Sequence, residues 1–219
     1  MGLNLGNTNI GEIYLGNTKI AEAYLGSSKI YSSGPPVDPY NPLGLPANTI
    51  RCKFNSSSYT PTIGDSQTLV ETGDNYSVWD IYIASNSWNS LFERSTRLTE
   101  VLGANTTNVT NMSGMFYSAY TLTTLALFDT SNVTNMESFC NNAGSLTYIP
   151  LFNTSNVTTV YNAFNYCRYV TGGALALYNQ MSTQANPPSN HYRTFYNCGS
   201  STTTGAAELA QIPSGWKDP

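Results

Sequence analysis

Charge is scarce in this chain. Lys, Arg, Asp and Glu together make up 10% of its 219 residues, against roughly 25% in an ordinary soluble domain. With 9 basic and 13 acidic residues the net charge is −4, so nothing could neutralise a row of phosphates and nucleic-acid binding is excluded as an expectation. No basic cluster offers a hold on an anionic membrane, and no apolar run approaches the roughly 18 residues of a membrane-spanning helix.

Histidine is rarer still, with His191 alone. It cannot complete an ordinary zinc set with Cys52, Cys140, Cys167 and Cys198, none of which lies in a C-x-x-C pair. No metal and no cofactor is expected. Nucleophilic catalysis needs a base beside a Ser or Cys, and His191 falls in a Pro-containing stretch where exposure is expected. Neither G-x-x-x-x-G-K-[ST] nor G-x-G-x-x-G occurs. Glu93, Glu100, Asp129 and Glu137 do not recur at matching positions, which gives no support to paired-carboxylate glycoside cleavage. The chain reads as non-enzymatic. Its cysteines read as small buried apolar residues, with a Cys167–Cys198 disulfide as the alternative. The N-terminus has neither a basic n-region nor a continuous apolar h-region, so export by a signal of its own is not expected.

What the chain has instead is Asn, Thr, Ser, 17 Gly and 16 Tyr. Neutral hydrogen bonders interleaved with aromatics solvate a surface without strong fields, and they suit contact with sugars and proteins.

The dominant pattern is a repeat. NTTNVTNMSGMF, TSNVTNMESFC and TSNVTTVYNAF place Val109, Val133 and Val157 at a fixed spacing of 24 (133−109 and 157−133), and a period in the twenties signals units that pack only on their neighbours. Val109, Met112, Met115 and Phe116 fall at three- and four-residue spacing, which predicts a short helical face. They align with Val133, Met136, Phe139 and Cys140, and with Val157, Val160, Ala163 and Phe164. An L-x-x-L-x-L segment follows in each unit: Leu122, Leu125 and Leu127, then Leu146, Ile149 and Leu151. This predicts a short strand, which Leu175 and Leu177 resume after two extra residues. Asn108, Asn132 and Asn156, beside Thr106, Thr130 and Thr154, are expected to satisfy free N–H groups where each helical half begins. Trp216 is expected to seal the far end.

Residues 1–32 repeat on a different period, with Leu5–Ile10, Leu15–Ile20 and Leu25–Ile30 ten apart and each reading as strand, tight turn, strand. Such small sheets bury little alone, so Leu5, Ile10, Tyr14, Leu15, Ile20, Tyr24, Leu25 and Ile30 are expected to assemble with copies of the chain or dock on another protein, with packing back on the chain's own larger domain as the alternative. Residues 33–47 are rich in Pro and Gly and read as a semi-rigid spacer. Residues 48–84 are expected to cap the repeats and residues 85–219 to contain them. The fold class expected is α/β: a leucine-rich-repeat-like solenoid of short helix plus short strand units, preceded by a small N-terminal β-repeat segment.

The repeat core TSNVTNM…MF with L-x-x-L-x-L, over residues 85–213, resembles the BspA-like leucine-rich-repeat proteins of gut bacteria and their phages. The YLGNTKI-type repeat resembles the start of tail- and capsid-associated proteins of gut phages. The resemblance implies a non-enzymatic virion fibre or decoration protein, anchored to a capsid or tail protein or self-assembled as a homo-oligomer, with a trimer by analogy with fibres. Its repeats would adhere to a bacterial surface glycan or protein, with Tyr117, Tyr120, Tyr148, Tyr161, Tyr166 and Tyr169 as contact residues, because Tyr gives rigid amphipathic contacts at low entropy cost. The alternatives are a structural component bracing the particle and a bacterial cell-surface adhesin.

Overall fold

The computed structural model describes residues 38–218 and, within residues 13–32, the backbone of four strands. Its contacts divide the chain into two units, Met1–Pro39 and Tyr40–Pro219. In the first, β1 (Ile13–Leu15) pairs antiparallel with β2 (Thr18–Ile20), and β3 (Glu22–Leu25) with β4 (Ser28–Ser32). Tyr14, Leu15, Ile20, Tyr24, Leu25 and Ile30 lie on these strands. Their side chains, all of Leu5 and Ile10, and residues 33–37 of the expected spacer lie outside the described residues.

The second unit opens with a mixed sheet. β5 (Thr49–Phe54), β6 (Ser66–Gly73), β7 (Tyr76–Tyr82), β8 (Leu98–Asn105) and the two-residue β9 (Thr124–Leu125) are ordered β6-β7-β5-β8-β9. Alternation explains the central strand. Ile50, Cys52 and Phe54 face the core with no exposure, while Arg51 and Lys53 face out to ion-pair with Asp80 and Glu100. Residues 41–45 are tied to the sheet, since the Asn105 side chain donates to the Leu45 carbonyl and Leu43 covers Gly103.

The repeats that follow are stacked turns, and the expected solenoid of short helices and short strands is not formed. A helix requires each amide to reach the carbonyl four residues back. Here alternate amides reach the next unit instead: Met112 donates to Asn135, Gly114 to Glu137, Phe116 to Phe139 and Ser118 to Asn141, all at 2.8–2.9 Å. Two residues per unit adopt left-handed backbone, at Ser90, Gly114, Ser138, Asn162 and Arg193 and again at Arg94, Ser118, Asn142, Tyr166 and Asn197. A left-handed residue every four positions forbids a continuous right-handed helix.

The L-x-x-L-x-L strand is likewise corrected. Only Thr124–Leu125 forms one, parallel to Glu100–Val101. Leu127 and Leu151 are exposed and the following Phe128 and Phe152 are buried in their place. Leu175 and Leu177 belong to a helix, α1 (Ala174–Thr183), which buries Ala174, Leu177 and Met181 at helical spacing. Gly173 precedes it at φ 95°, where a Cβ would lie 2.1 Å from the Ile149 carbonyl oxygen, so only Gly fits. α2 (Thr203–Gln211), capped by the Thr202 hydroxyl accepting from Gly205, and α3 (Ser214–Lys217) close the end, with Trp216 buried.

The apolar repeat positions form one continuous core. Rings run through it from Phe92 to Phe116, Phe139, Phe164, Phe195 and Trp216, with centroids 5.3–6.4 Å apart. His191 stacks on Trp216 at 4.1 Å and is half-buried, not exposed as expected, because it opens the last stacked unit and α3 lays Trp216 over it. All four cysteines are buried free thiols.

Candidate functional site

Stacked turns place equivalent residues in columns. Ser118 donates to the Asn141 carbonyl, Asn142 to Asn165 and Tyr166 to Tyr196, at 2.7–2.8 Å. Tyr117, Asn141, Asn165 and Tyr196 therefore stand side by side on successive units, as do Ser118, Asn142, Tyr166 and Asn197. A shallow groove of about 510 Å³ opens over these columns, lined by Tyr117, Asn141, Asn142, Asn165, Tyr166 and Arg168.

Two properties set the groove apart. Asn165 is only 6% exposed, donates its amide nitrogen to the Asn162 side chain, and leaves Oδ1 without a partner. A buried acceptor without a donor is costly to the free protein. The Arg168 guanidinium lies 4.9 Å from the Tyr166 ring centre, and Tyr166 meets Tyr196 edge-on at 5.3 Å. Arg193 follows, 5.6 Å from Tyr196 and 5.2 Å from Tyr192. Among the described residues Arg168 and Arg193, like Arg97 and Lys217, make no ion pair, whereas Arg51, Lys53 and Arg94 do.

Of the tyrosines expected as contacts, Tyr117 and Tyr166 meet in this groove. Tyr120 joins its rim, its hydroxyl 3.4 Å from the Asn142 amide. Tyr161 stands in a separate stack with Tyr192 at 6.1 Å, while Tyr148 and Tyr169 are 55% and 56% exposed and outside the groove lining. Asn141, Asn142, Asn165, Arg168, Arg193 and Tyr196 escaped the reading of the sequence. The signal was there for the column, since positions 117, 141 and 165 keep the period of 24 and are Tyr, Asn and Asn.

The recurrent Thr and Asn serve the stacking. Buried Thr106 and Thr130 donate their hydroxyls to the carbonyls of Asp129 and Asn153 in the next unit. Asn132 and Asn156 reach back to the carbonyls of Thr107 and Ser131. Exposed Thr123, Thr147 and Thr171 form a hydroxyl ladder at 2.9–3.0 Å, each donating to the Thr one unit earlier. A second cavity of about 290 Å³ on the outer face of the sheet is lined by Thr49, Ser66, Thr68, Asp80 and Tyr82. Asp80 is occupied by both nitrogens of Arg51 at 2.6 and 2.8 Å, which leaves that cavity no free charge. Among the described residues no group of three His, Cys, Asp or Glu is placed to hold a metal, and no helix is long and apolar enough to cross a membrane.

Fold and site together define a repeat protein of stacked turns with an aromatic and amide face. Residues 71–197 match the family model described as Mycoplasma protein of unknown function, DUF285. As this is more than half of the chain, the protein belongs to that family, which is related to the BspA-like surface repeat proteins. No curated protein matches the chain, and no solved structure does.

Proposed function

We propose that this chain is a non-enzymatic display protein of a phage particle, whose stacked repeats present an adhesive face to the bacterial surface. The observation that carries the adhesive reading is the groove itself: tyrosine rings, side-chain amides and an unpaired buried acceptor gathered on a rigid, hydrogen-bonded scaffold. Rigid aromatics with adaptable polar neighbours make contacts at low entropy cost, and membership of a family related to surface repeat proteins supports the same direction. The virion placement is supported by the ten-residue repeat of residues 1–32 and its resemblance to phage tail and capsid-associated proteins. In this reading those residues join copies of the chain or dock on a capsid or tail protein.

Two measurements test the proposal. Immunogold labelling of purified particles with an antibody to the chain should decorate them, and labelled full chain should bind intact bacterial cells saturably. Decorated particles with no cell binding would favour a bracing role. Cell binding without decorated particles would favour a cell-borne adhesin.

A further inference from the structure

The groove has a direction, a step and a charge. Its floor column runs Tyr117, Asn141, Asn165, one residue per unit, set side by side by the hydrogen bonds Ser118 donates to the Asn141 carbonyl and Asn142 to the Asn165 carbonyl. Tyr196 follows in the column beyond the groove lining. Backbone segments bonded side by side advance about 4.8 Å per step, so Tyr117 and Asn165 stand about 10 Å apart with Asn141 between them. That step is comparable to the advance per ring of an extended glycan, and tyrosine rings offer flat apolar faces to the C–H faces of pyranoses. Side-chain amides donate to and accept from hydroxyls, and Asn141 and Asn142 are half-buried in the groove lining.

Neutral recognition does not use the remaining feature. In a chain of net charge −4, the cations beside this column are left without carboxylates. Arg168 lines the groove over Tyr166, and Arg193 lies over Tyr196 beyond the groove lining. A guanidinium held against an aromatic face keeps its fork pre-set for a carboxylate, which it grips through two parallel hydrogen bonds.

From this we infer that the groove is a subsite for an acidic oligosaccharide, a chain of pyranoses bearing carboxylates. The sugar rings lie along the Tyr117–Asn165 column beside Tyr166, the half-buried amides of Asn141 and Asn142 meet ring hydroxyls, and a carboxylate sits on Arg168. The inference rests on the adhesive reading and names its ligand class.

The test is calorimetric titration of the full chain with tetragalacturonate, a hyaluronan tetrasaccharide and sialyllactose, with tetragalacturonate methyl ester as the neutral control. At least one acidic sugar should bind, and the ester should not bind measurably. Because Arg168 is exposed, Arg168→Ala leaves the fold intact, and it should weaken binding at least about tenfold. Arg168→Lys, which keeps the charge and loses the fork, should recover only part of it. The inference is overturned if none of the three acids binds, if the ester binds as well as the acid, or if Arg168→Ala binds like the wild type. Cell binding that persists in Arg168→Ala and resists competition by the acidic sugars would overturn the ligand class while leaving the adhesive reading intact. Absence of cell binding by the wild type would remove the adhesive reading, and the titration would then judge the groove alone.

Discussion

Burial pushes the Cys167 thiol up to about 12, against a backbone hydrogen bond that acts the other way, and raises Cys52, Cys140 and Cys198 well above their usual range. A raised thiol favours the protonated form in the folded chain. Its stabilisation is therefore complete below the usual value of 9.0 and is lost as pH rises from there towards about 12. The denaturant midpoint should be flat around neutrality and fall by about pH 10, with part of the fall removed in Cys167→Ala. The folded chain should leave all four thiols unreactive to an aromatic disulfide reagent until denaturant is added. Hydroxyls at two depths should also separate. Thr130→Val removes a buried hydroxyl from the half-buried Asn153 carbonyl and should cost about 1–3 kcal/mol, whereas Thr147→Val on the exposed ladder should cost under about 0.5 kcal/mol. Urea unfolding of the two variants checks this.

At the scale of the element, the repeats are held by ring packing as much as by hydrogen bonds. Equivalent positions carry Met115-Phe116, Phe139-Cys140 and Ala163-Phe164, so the large residue changes place in the middle unit while the small one beside it makes room. Phe139 consequently meets Phe116, Phe152 and Phe164 edge-on at 5.3–6.0 Å. Phe139→Ala should cost about 3–5 kcal/mol. Cys140→Phe alone should overpack by about 1–3 kcal/mol, and the double change Phe139→Met with Cys140→Phe should cost less than Phe139→Met alone and Cys140→Phe alone added, because the residues share one space. Denaturation of the single and double variants reads the coupling directly.

The same units show what the sequence made legible. Val109, Met112, Met115 and Phe116 and their counterparts are buried as their period implied, because burial follows period whatever the local conformation. The conformation was not legible. Three- and four-residue spacing fits a helix and also fits turns whose fourth residue is left-handed, and Ser118, Ser138 and Asn162 look like ordinary helix-surface residues. Phe128 and Phe152 were passed over in favour of the leucines that fit a known strand pattern. In the groove, Tyr117 and Tyr166 were visible as tyrosines. Arg168 and Asn165 gain meaning only once stacking sets them beside those rings, with one cation unpaired and one acceptor unsatisfied.

For the whole molecule, the family and the stacked-turn architecture describe a scaffold that fixes side chains in columns at one step per unit, with little charge overall and an unpaired cation, Arg168, in the groove. Its central claim is that the Tyr117–Arg168 face is an adhesive surface. The most direct measurement is saturation binding of labelled full chain to intact bacterial cells, comparing the wild type with a variant carrying Tyr117→Ala, Tyr166→Ala and Arg168→Ala. Unchanged circular dichroism and melting cooperativity would establish that the variant is folded. The account predicts saturable binding by the wild type and a loss of at least about tenfold in the variant. A folded variant that binds as the wild type does would contradict it.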